Sequence, residues 1–259
     1  IGCAVDKVDS KPTVALFDSL TKVCNSVMSF FIDIFAIGLV AVTSVWTFQF
    51  MDVITSGIYN GLIILLAVIL FLVAVVVYPL ALYLVCKETH PYKVLYASLA
   101  TFFAAFLSGD TNLSLAIAMR HNRESLGIKR PTSSSVTPLL SIFSRAGSAL
   151  VVAISFIVIF RSYNALSISF SDIMWVAGFS IISSFFLGAL PTGSTFFALT
   201  LLCAMYGRGF EAGYLLLKPI AFILCSFAAA IDSLTMIFGT VVVSNKMKTT
   251  EKQEIKDFI

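Results

Sequence analysis

The chain has 259 residues, of which 59% are hydrophobic and 12% are charged, and its mean hydropathy is +0.98. This composition excludes an ordinary soluble domain and indicates an integral membrane protein. The formal net charge is +3, and the placement of the basic residues favours membrane topology over nucleic-acid binding as their explanation.

Four apolar segments are long enough to cross a bilayer as helices, which takes about 20 residues each. The predicted spans lie at about 27–49, 60–86, 131–160 and 210–245. No charged residue lies between Asp52 and Lys87, nor between Asp172 and Arg208. The sequence therefore predicts an all-α membrane protein.

Residues 93–127 form an apolar region that is interrupted in its middle. The arm Val94–Leu107 is followed by the polar sequence Ser108-Gly109-Asp110-Thr111-Asn112, and a second arm runs to Met119. Each arm is too short to cross the bilayer, and Gly, Asp and Asn favour a tight reversal of the chain. This pattern predicts a re-entrant helical hairpin.

The third span carries an arginine, Arg145, close to its centre, in the sequence LSIFSRAGSALVV. A guanidinium at that depth costs about 2.5 kcal/mol on insertion scales, so it needs a carboxylate or several carbonyl groups as partners. The alternative is a boundary residue whose side chain snorkels to the interface. The central position of Arg145 favours a buried partner.

A second interrupted region, residues 171–207, predicts another re-entrant hairpin with Gly188, Pro191 and Gly193 at its tip. The last span follows and carries Asp232 at mid-membrane depth. A carboxylate at this depth is a candidate functional group, and a purely structural polar contact is the alternative.

A hairpin followed by a span with a central polar group occurs twice, which predicts an inverted repeat. Non-helical backbone at this depth persists only where protein or a water-filled cavity satisfies it. Two such interruptions point to the midplane site of a secondary transporter. Arg145, Asp232 and Asp110 are predicted to meet there. The alternative for Asp110 is a purely local role as a residue of the turn.

The basic residues predict the orientation of the chain. If both interrupted regions are hairpins, 13 of the 17 Lys and Arg residues lie on one side of the membrane. The positive-inside rule then places that side, with the C-terminus, in the cytoplasm. We therefore expect an integral protein of the plasma or inner membrane.

Several motifs occur in the order and spacing of one known family. The sequence resembles the C-terminal part of the dicarboxylate/amino acid:cation symporters, the glutamate transporter homologues. The similar segments are LAIAMRHNRESLG after the first hairpin tip, TPLLSIFSRAGSALVV in the seventh span, GALPTGSTFFAL at the second tip and FGTVVVSNK at the end of the eighth span. The stretch from IGCAV to IGLVAV is similar to the segment that leads into the fifth span of this family.

The resemblance implies an elevator-type transporter of a small organic solute, an amino acid or a carboxylate, that works in membrane lipid as a homotrimer. It divides the chain into a scaffold end at 1–92, a transport core at 93–245 and a cytoplasmic tail at 246–259. By this resemblance, the substrate-binding residues would be Asp110, Thr111, Asn112, Arg145, Pro191, Thr192, Gly193, Ser194, Cys225 and Asp232.

Departures from the family pattern concern the coupling ions. The signature Asn-Met-Asp-Gly-Thr is replaced by Ser144-Arg145-Ala146-Gly147-Ser148. By ungapped matching, a sodium-ligating Asp falls on Met236, and the Arg that recognises an acidic side chain falls on Ala228. The remaining metal candidates are Ser144, Ser148 and Asp232, in a sodium site expected to be degraded.

These replacements suggest that Arg145 stands in for a coupling cation and neutralises Asp232, Asp110 or an anionic solute. Sodium coupling is then doubtful, protons are the other candidate coupling ions, and no cofactor is expected. A channel and a non-transporting membrane scaffold remain alternative functions. An enzyme is not predicted, because His90 and His121 fall in the loops, far from Ser108 at the first tip.

Overall fold

The computed structural model describes residues 11–86, 91–163, 169–186, 193–207 and 209–250. These residues are helical, and the β-structure among them is a single isolated bridge between Ile128 and Thr250. The predicted all-α fold is confirmed. Two compact units are distinguished, residues 1–41 and residues 42–259. In the first unit, the described residues form the N-terminal part of helix α1.

Helix α1 runs from Lys11 to Ser56, and its most apolar stretch is Ile37–Ser56. The predicted span at 27–49 overlaps this stretch over residues 37–49. Each of the two windows contains one acidic residue, Asp33 in the predicted span and Asp52 in Ile37–Ser56. The start of this span at residue 27 stays a prediction.

The second span, Asn60–Cys86, is one apolar segment, as predicted, and its most apolar 18-residue window has a mean hydropathy of 3.2. It comprises α2 (Asn60–Leu72), a π-helical turn (Val73–Val77) and α3 (Tyr78–Cys86). Pro79 lies two residues after the turn, and a proline ring clashes with the carbonyl four residues earlier, which here belongs to Val75 within the turn. The wider turn accommodates this clash without ending the helix.

The first predicted hairpin is present. Helix α4 (Pro91–Ser108) and helix α5 (Thr111–Glu124) are joined by a short reversal. Gly109 occupies the left-handed region there, with φ 66°, which a glycine adopts without strain.

The third span is a broken helix. Helix α6 (Arg130–Phe143) ends before Ser144 and Arg145, and helix α7 (Ala146–Tyr163) continues in the same candidate span, Arg130–Tyr163. The non-helical pair lies at the start of Ser144–Ser148, the segment that replaces the signature Asn-Met-Asp-Gly-Thr.

The second hairpin consists of α8 (Phe170–Phe186) and α9 (Ser194–Tyr206). Its tip, with Gly188, Pro191 and Thr192, lies outside the described residues. A 3-10 helix, Gly213–Ile220, then leads into the final helix α10, Ala221–Lys246.

Helix α10 forms the centre of the second unit. In its most apolar window, within the span Gly213–Lys246, 83% of the residues are buried, because α4, α5, α6, α7 and α9 pack around it. Two apolar clusters share this helix. One contains Val151, Phe156, Leu202, Ile223 and Leu224, and the other contains Leu82, Val94, Ala118, Leu234 and Ile237.

The residues that follow α10 are hydrogen-bonded to the loop before α6. The amide of Lys129 donates to the carbonyl of Thr249 at 3.0 Å, next to the bridge between Ile128 and Thr250. The hydroxyl of Thr132 also donates to Oγ1 of Thr249 at 3.1 Å. Residues 249–250 thus extend the packed unit beyond the last helix, while the predicted domain boundaries at 92 and 245 stay predictions.

Candidate functional site

The break between α6 and α7 exposes the N-terminus of a helix in the protein interior. Ser144 has a non-helical backbone, with φ −93° and ψ 66°, and its amide ends α6 by donating to the carbonyl of Leu140 at 2.8 Å. The first amides of α7 have no acceptor within their own helix and carry a partial positive charge. A buried helix end of this kind requires an acceptor.

Asp232 of α10 supplies that acceptor. Its Oδ1 accepts from the amide of Gly147 at 2.7 Å and from the amide of Ser148 at 3.2 Å. Its Oδ2 accepts from the hydroxyl of Ser148 at 2.6 Å. Three hydrogen bonds therefore hold the carboxylate at the start of α7, where a negative charge is most favourable.

The close approach of α7 to α10 depends on Gly147. A β-carbon at this position would lie 2.5 Å from the carbonyl oxygen of Ala228, 2.6 Å from Cβ of Ile231 and 2.9 Å from the amide nitrogen of Asp232. Only glycine leaves room for the carboxylate to reach the helix end.

Arg145 pairs with the same carboxylate. Its Nη1 lies 3.9 Å from Oδ2 of Asp232, and Arg145 is only 4% exposed. The predicted pairing of the two residues is confirmed, and the alternative of a snorkelling boundary arginine is wrong. Asp110 is buried as well, and its meeting with this pair stays a prediction.

At the first hairpin tip, Asp110 caps α5. Its Oδ1 accepts from the amide of Asn112 at 2.9 Å, and the residue is buried. The hydroxyl of Thr111 is buried without a hydrogen-bond partner among the described residues. Cys225 borders the tip, because a β-carbon on Gly109 would lie 3.8 Å from Cβ of Cys225. Asp110 is thus at least a turn residue, and the binding roles of Asp110, Thr111, Asn112 and Cys225 stay predictions.

At the second hairpin, Gly193 precedes α9 in the left-handed region, with φ 73°. Ser194 is buried, and the hydroxyl of Thr195 lies 3.3 Å from that of Ser148. The start of α9 is therefore brought to the start of α7. Pro191 and Thr192 fall outside the described residues, so the structure places only Gly193 and Ser194 of this predicted group.

The predicted metal residues, Ser144, Ser148 and Asp232, surround the helix break. Both oxygens of Asp232 already accept hydrogen bonds, and the guanidinium of Arg145 lies against one of them. The described part of the chain contains no group of three or more His, Cys, Asp and Glu side chains that could hold a metal. The structure thus brings Ser144, Ser148 and Asp232 to one point, and their role towards sodium stays a prediction.

A cavity of about 530 Å³ opens beside the break, between α7 and α8. Its wall includes Ser144, Arg145, Leu150, Ser180 and Phe185. A narrower pocket adjoins it and has no room for a water molecule in this conformation. The narrower pocket is lined by Arg145, Ser148, Val152, Ser180, Ser183, Ser184, Ser194 and Ala198.

Sequence reasoning missed the three serines of α8. Ser180, Ser183 and Ser184 are each less than 8% exposed, in a helix whose other polar residues, Ser171 and Asp172, lie in its first turn. Their spacing of three and four residues places them on one helical face, and this was the available signal.

Comparison with known families identifies one family for this chain. The sequence profile of the sodium:dicarboxylate symporter family matches residues 1–246. A comparison with individual curated proteins gives no match. The profile describes transporters rather than enzymes, and it covers both hairpins, the broken helix and α10. The chain therefore belongs to the sodium:dicarboxylate symporter family.

Proposed function

We propose that this protein is a secondary transporter that moves a small organic solute by an elevator mechanism and does not require sodium. In this proposal, the ion pair of Arg145 and Asp232 takes the place of a bound coupling cation. The hairpins, the broken helix and α10 are the part that carries the solute.

The proposal depends on the hydrogen bonds and the ion pair that Asp232 makes within the protein. The carboxylate accepts three hydrogen bonds from Gly147 and Ser148 and faces Arg145 at 3.9 Å. A sodium ion would have to compete with these donors for the same oxygens. It would also lie close to a fixed positive charge, and at about 4 Å the repulsion is roughly 4 kcal/mol for an effective dielectric constant of 20.

The packing of the second unit supports a single moving part. Helix α10 contacts both arms of the first hairpin, both halves of the broken helix and α9 of the second hairpin. A body built around one buried helix can shift as a whole while its internal contacts are kept. We infer the homotrimer, the cytoplasmic C-terminus and the division at 92 and 245 from the same family resemblance.

The family description names dicarboxylates, but we propose a different solute for this chain. Ala228 stands where the resemblance expects the arginine that binds a second carboxylate. It is fully buried, and its carbonyl is packed against Gly147. Without a guanidinium at this position, bidentate recognition of a second carboxylate is lost.

Uptake by the full-length protein in proteoliposomes tests this function. Radiolabelled glutamate, succinate, alanine and hexanoate would be offered with a sodium gradient, with choline in place of sodium, and with a proton gradient. We expect saturable uptake of at least one solute, with rates in sodium and in choline that agree within about twofold. Empty liposomes provide the background.

A rise in uptake of about tenfold or more in sodium would refute the substitution of Arg145 for the cation. Stimulation by a proton gradient alone would keep the secondary transporter and assign the coupling to protons. Conductance without competition between solutes would instead indicate a channel, and no flux of any solute or ion would indicate a scaffold.

A further inference from the structure

We propose that the 530 Å³ cavity and the adjoining serine-lined pocket form a binding site for an organic monocarboxylate with an apolar body. The carboxylate would lie at Arg145 and Ser180, and the apolar body would lie between α7 and α8. This inference rests on the proposed function, because it names the class of solute that the transporter would carry.

The two spaces adjoin and share three lining residues. Arg145, Ser180 and Ser184 line both the cavity and the narrower pocket. The remaining wall of the cavity is mainly apolar and includes Leu150 and Phe185. A polar end that opens to an apolar chamber is the arrangement expected of a site for an amphipathic small molecule.

Ser180 provides the independent indication of a ligand. It is 2% exposed, and its hydroxyl has no hydrogen-bond partner among the described residues. The neighbouring hydroxyls are satisfied within the helix, since Ser183 donates to the carbonyl of Ser180 at 3.1 Å and Ser184 to that of Ile181 at 2.7 Å. A buried hydroxyl without a partner is costly, so Ser180 is suited to donate to an acceptor in the site.

The charges around the site favour one negative group. Among the described residues that line the two spaces, Arg145 is the one cation and none is acidic. The N-terminus of α7 starts beside Arg145 and adds a partial positive charge. Arg145 faces Asp232 through Nη1, and a guanidinium carries N–H donors on three nitrogens, so the same side chain can contact a carboxylate from the cavity side.

A second carboxylate has no matching group in the cavity. At the far wall it would meet side chains such as Leu150, Ala153 and Ile181. A charge left there without a partner pays a large desolvation cost. The site is thereby expected to reject dicarboxylates, in contrast to the description of the family as a whole.

Binding can be measured apart from transport with the purified full chain in nanodiscs of uncharged lipid. The probes are hexanoate, its neutral analogue hexanamide and the dicarboxylate adipate, which have the same number of carbon atoms. We expect hexanoate to bind about tenfold or more tightly than either analogue, which corresponds to one charge-assisted hydrogen-bonded contact.

Ser180→Ala is expected to weaken hexanoate binding about fivefold to tenfold and to leave hexanamide binding nearly unchanged. Ser162→Ala is the matched control on α7, because Ser162 is exposed and its hydroxyl already donates to the carbonyl of Val158. The double variant Arg145→Gln with Asp232→Asn removes both charges together. We expect it to lose the preference for hexanoate over hexanamide.

Equal binding of hexanoate and hexanamide would overturn the proposal, as would tighter binding of adipate or an unchanged affinity in Ser180→Ala. Hexanoate binding without uptake would support this site and count against the transport function. Uptake of another solute that hexanoate does not inhibit would support the function and overturn the site.

Discussion

The hydroxyl of Ser148 donates to Oδ2 of Asp232 at 2.6 Å, and this bond joins the first turn of α7 to the middle of α10. Because Arg145 lies against the same oxygen at 3.9 Å, one carboxylate serves both a helix end and a guanidinium. The break in the third span and the last span are thus held together by shared polar contacts.

Asp232→Asn should destabilise the protein by about 3–5 kcal/mol, because it leaves the buried guanidinium of Arg145 without its carboxylate. The asparagine keeps an acceptor for Ser148, so the loss reports mainly on charge. The thermal unfolding midpoint in detergent measures it.

Adding Arg145→Gln to Asp232→Asn should recover most of that loss, since no buried charge then remains at the pair. A double variant that is no more stable than Asp232→Asn would show that the two side chains are not energetically coupled.

Ser148→Ala should cost about 1.5–3 kcal/mol, because it removes a hydrogen bond to a buried charged group. Ser155 is the control on the same helix, since its hydroxyl is buried and has no hydrogen-bond partner among the described residues. Ser155→Ala should be nearly neutral. Equal losses in the two variants, compared by chemical denaturation, would contradict a special role for the contact with Asp232.

Gly147→Ala should destabilise the protein by about 1–3 kcal/mol, because the added methyl group overlaps the backbone of α10 at 2.5 Å. Gly178 in α8 offers the comparison, since a β-carbon there meets nothing within 4 Å. Gly178→Ala should be neutral or should stabilise the helix by about 0.5–1 kcal/mol. If both alanines are tolerated alike, the helices do not approach as closely as described.

Asp110 can be tested as a cap and as a ligand with two variants. Asp110→Ser keeps an N-cap oxygen for the amide of Asn112, whereas Asp110→Ala removes it and should cost about 1 kcal/mol. If capping is the whole role, Asp110→Ser has normal stability and normal uptake. Normal stability with lost uptake would assign the carboxylate to solute or ion binding.

Much of this architecture is predictable from local pattern. The apolar spans and the two interrupted regions follow from hydropathy and from Gly109 and Asp110 at the first tip. The pairing of Arg145 with Asp232 is also predictable, because a central guanidinium requires a counter-charge and few acidic residues lie at that depth.

Other features depend on packing between distant segments. The three bonds accepted by Asp232 require α7 to approach α10 at Gly147, which no local pattern encodes. The spacing of Ser180, Ser183 and Ser184 indicates a shared face, but the rotamers decide which hydroxyl is left without a partner.

The pairing of Lys129 with Thr249 has a practical consequence for handling the protein. Thr249 and Thr250 contact Ile128, Lys129 and Thr132, so a truncation at Lys246 would remove these partners from the start of α6. A reporter or affinity tag placed before Thr250 would disturb the start of α6 as well as the end of the last helix. Tags attached beyond Thr250 leave these contacts intact.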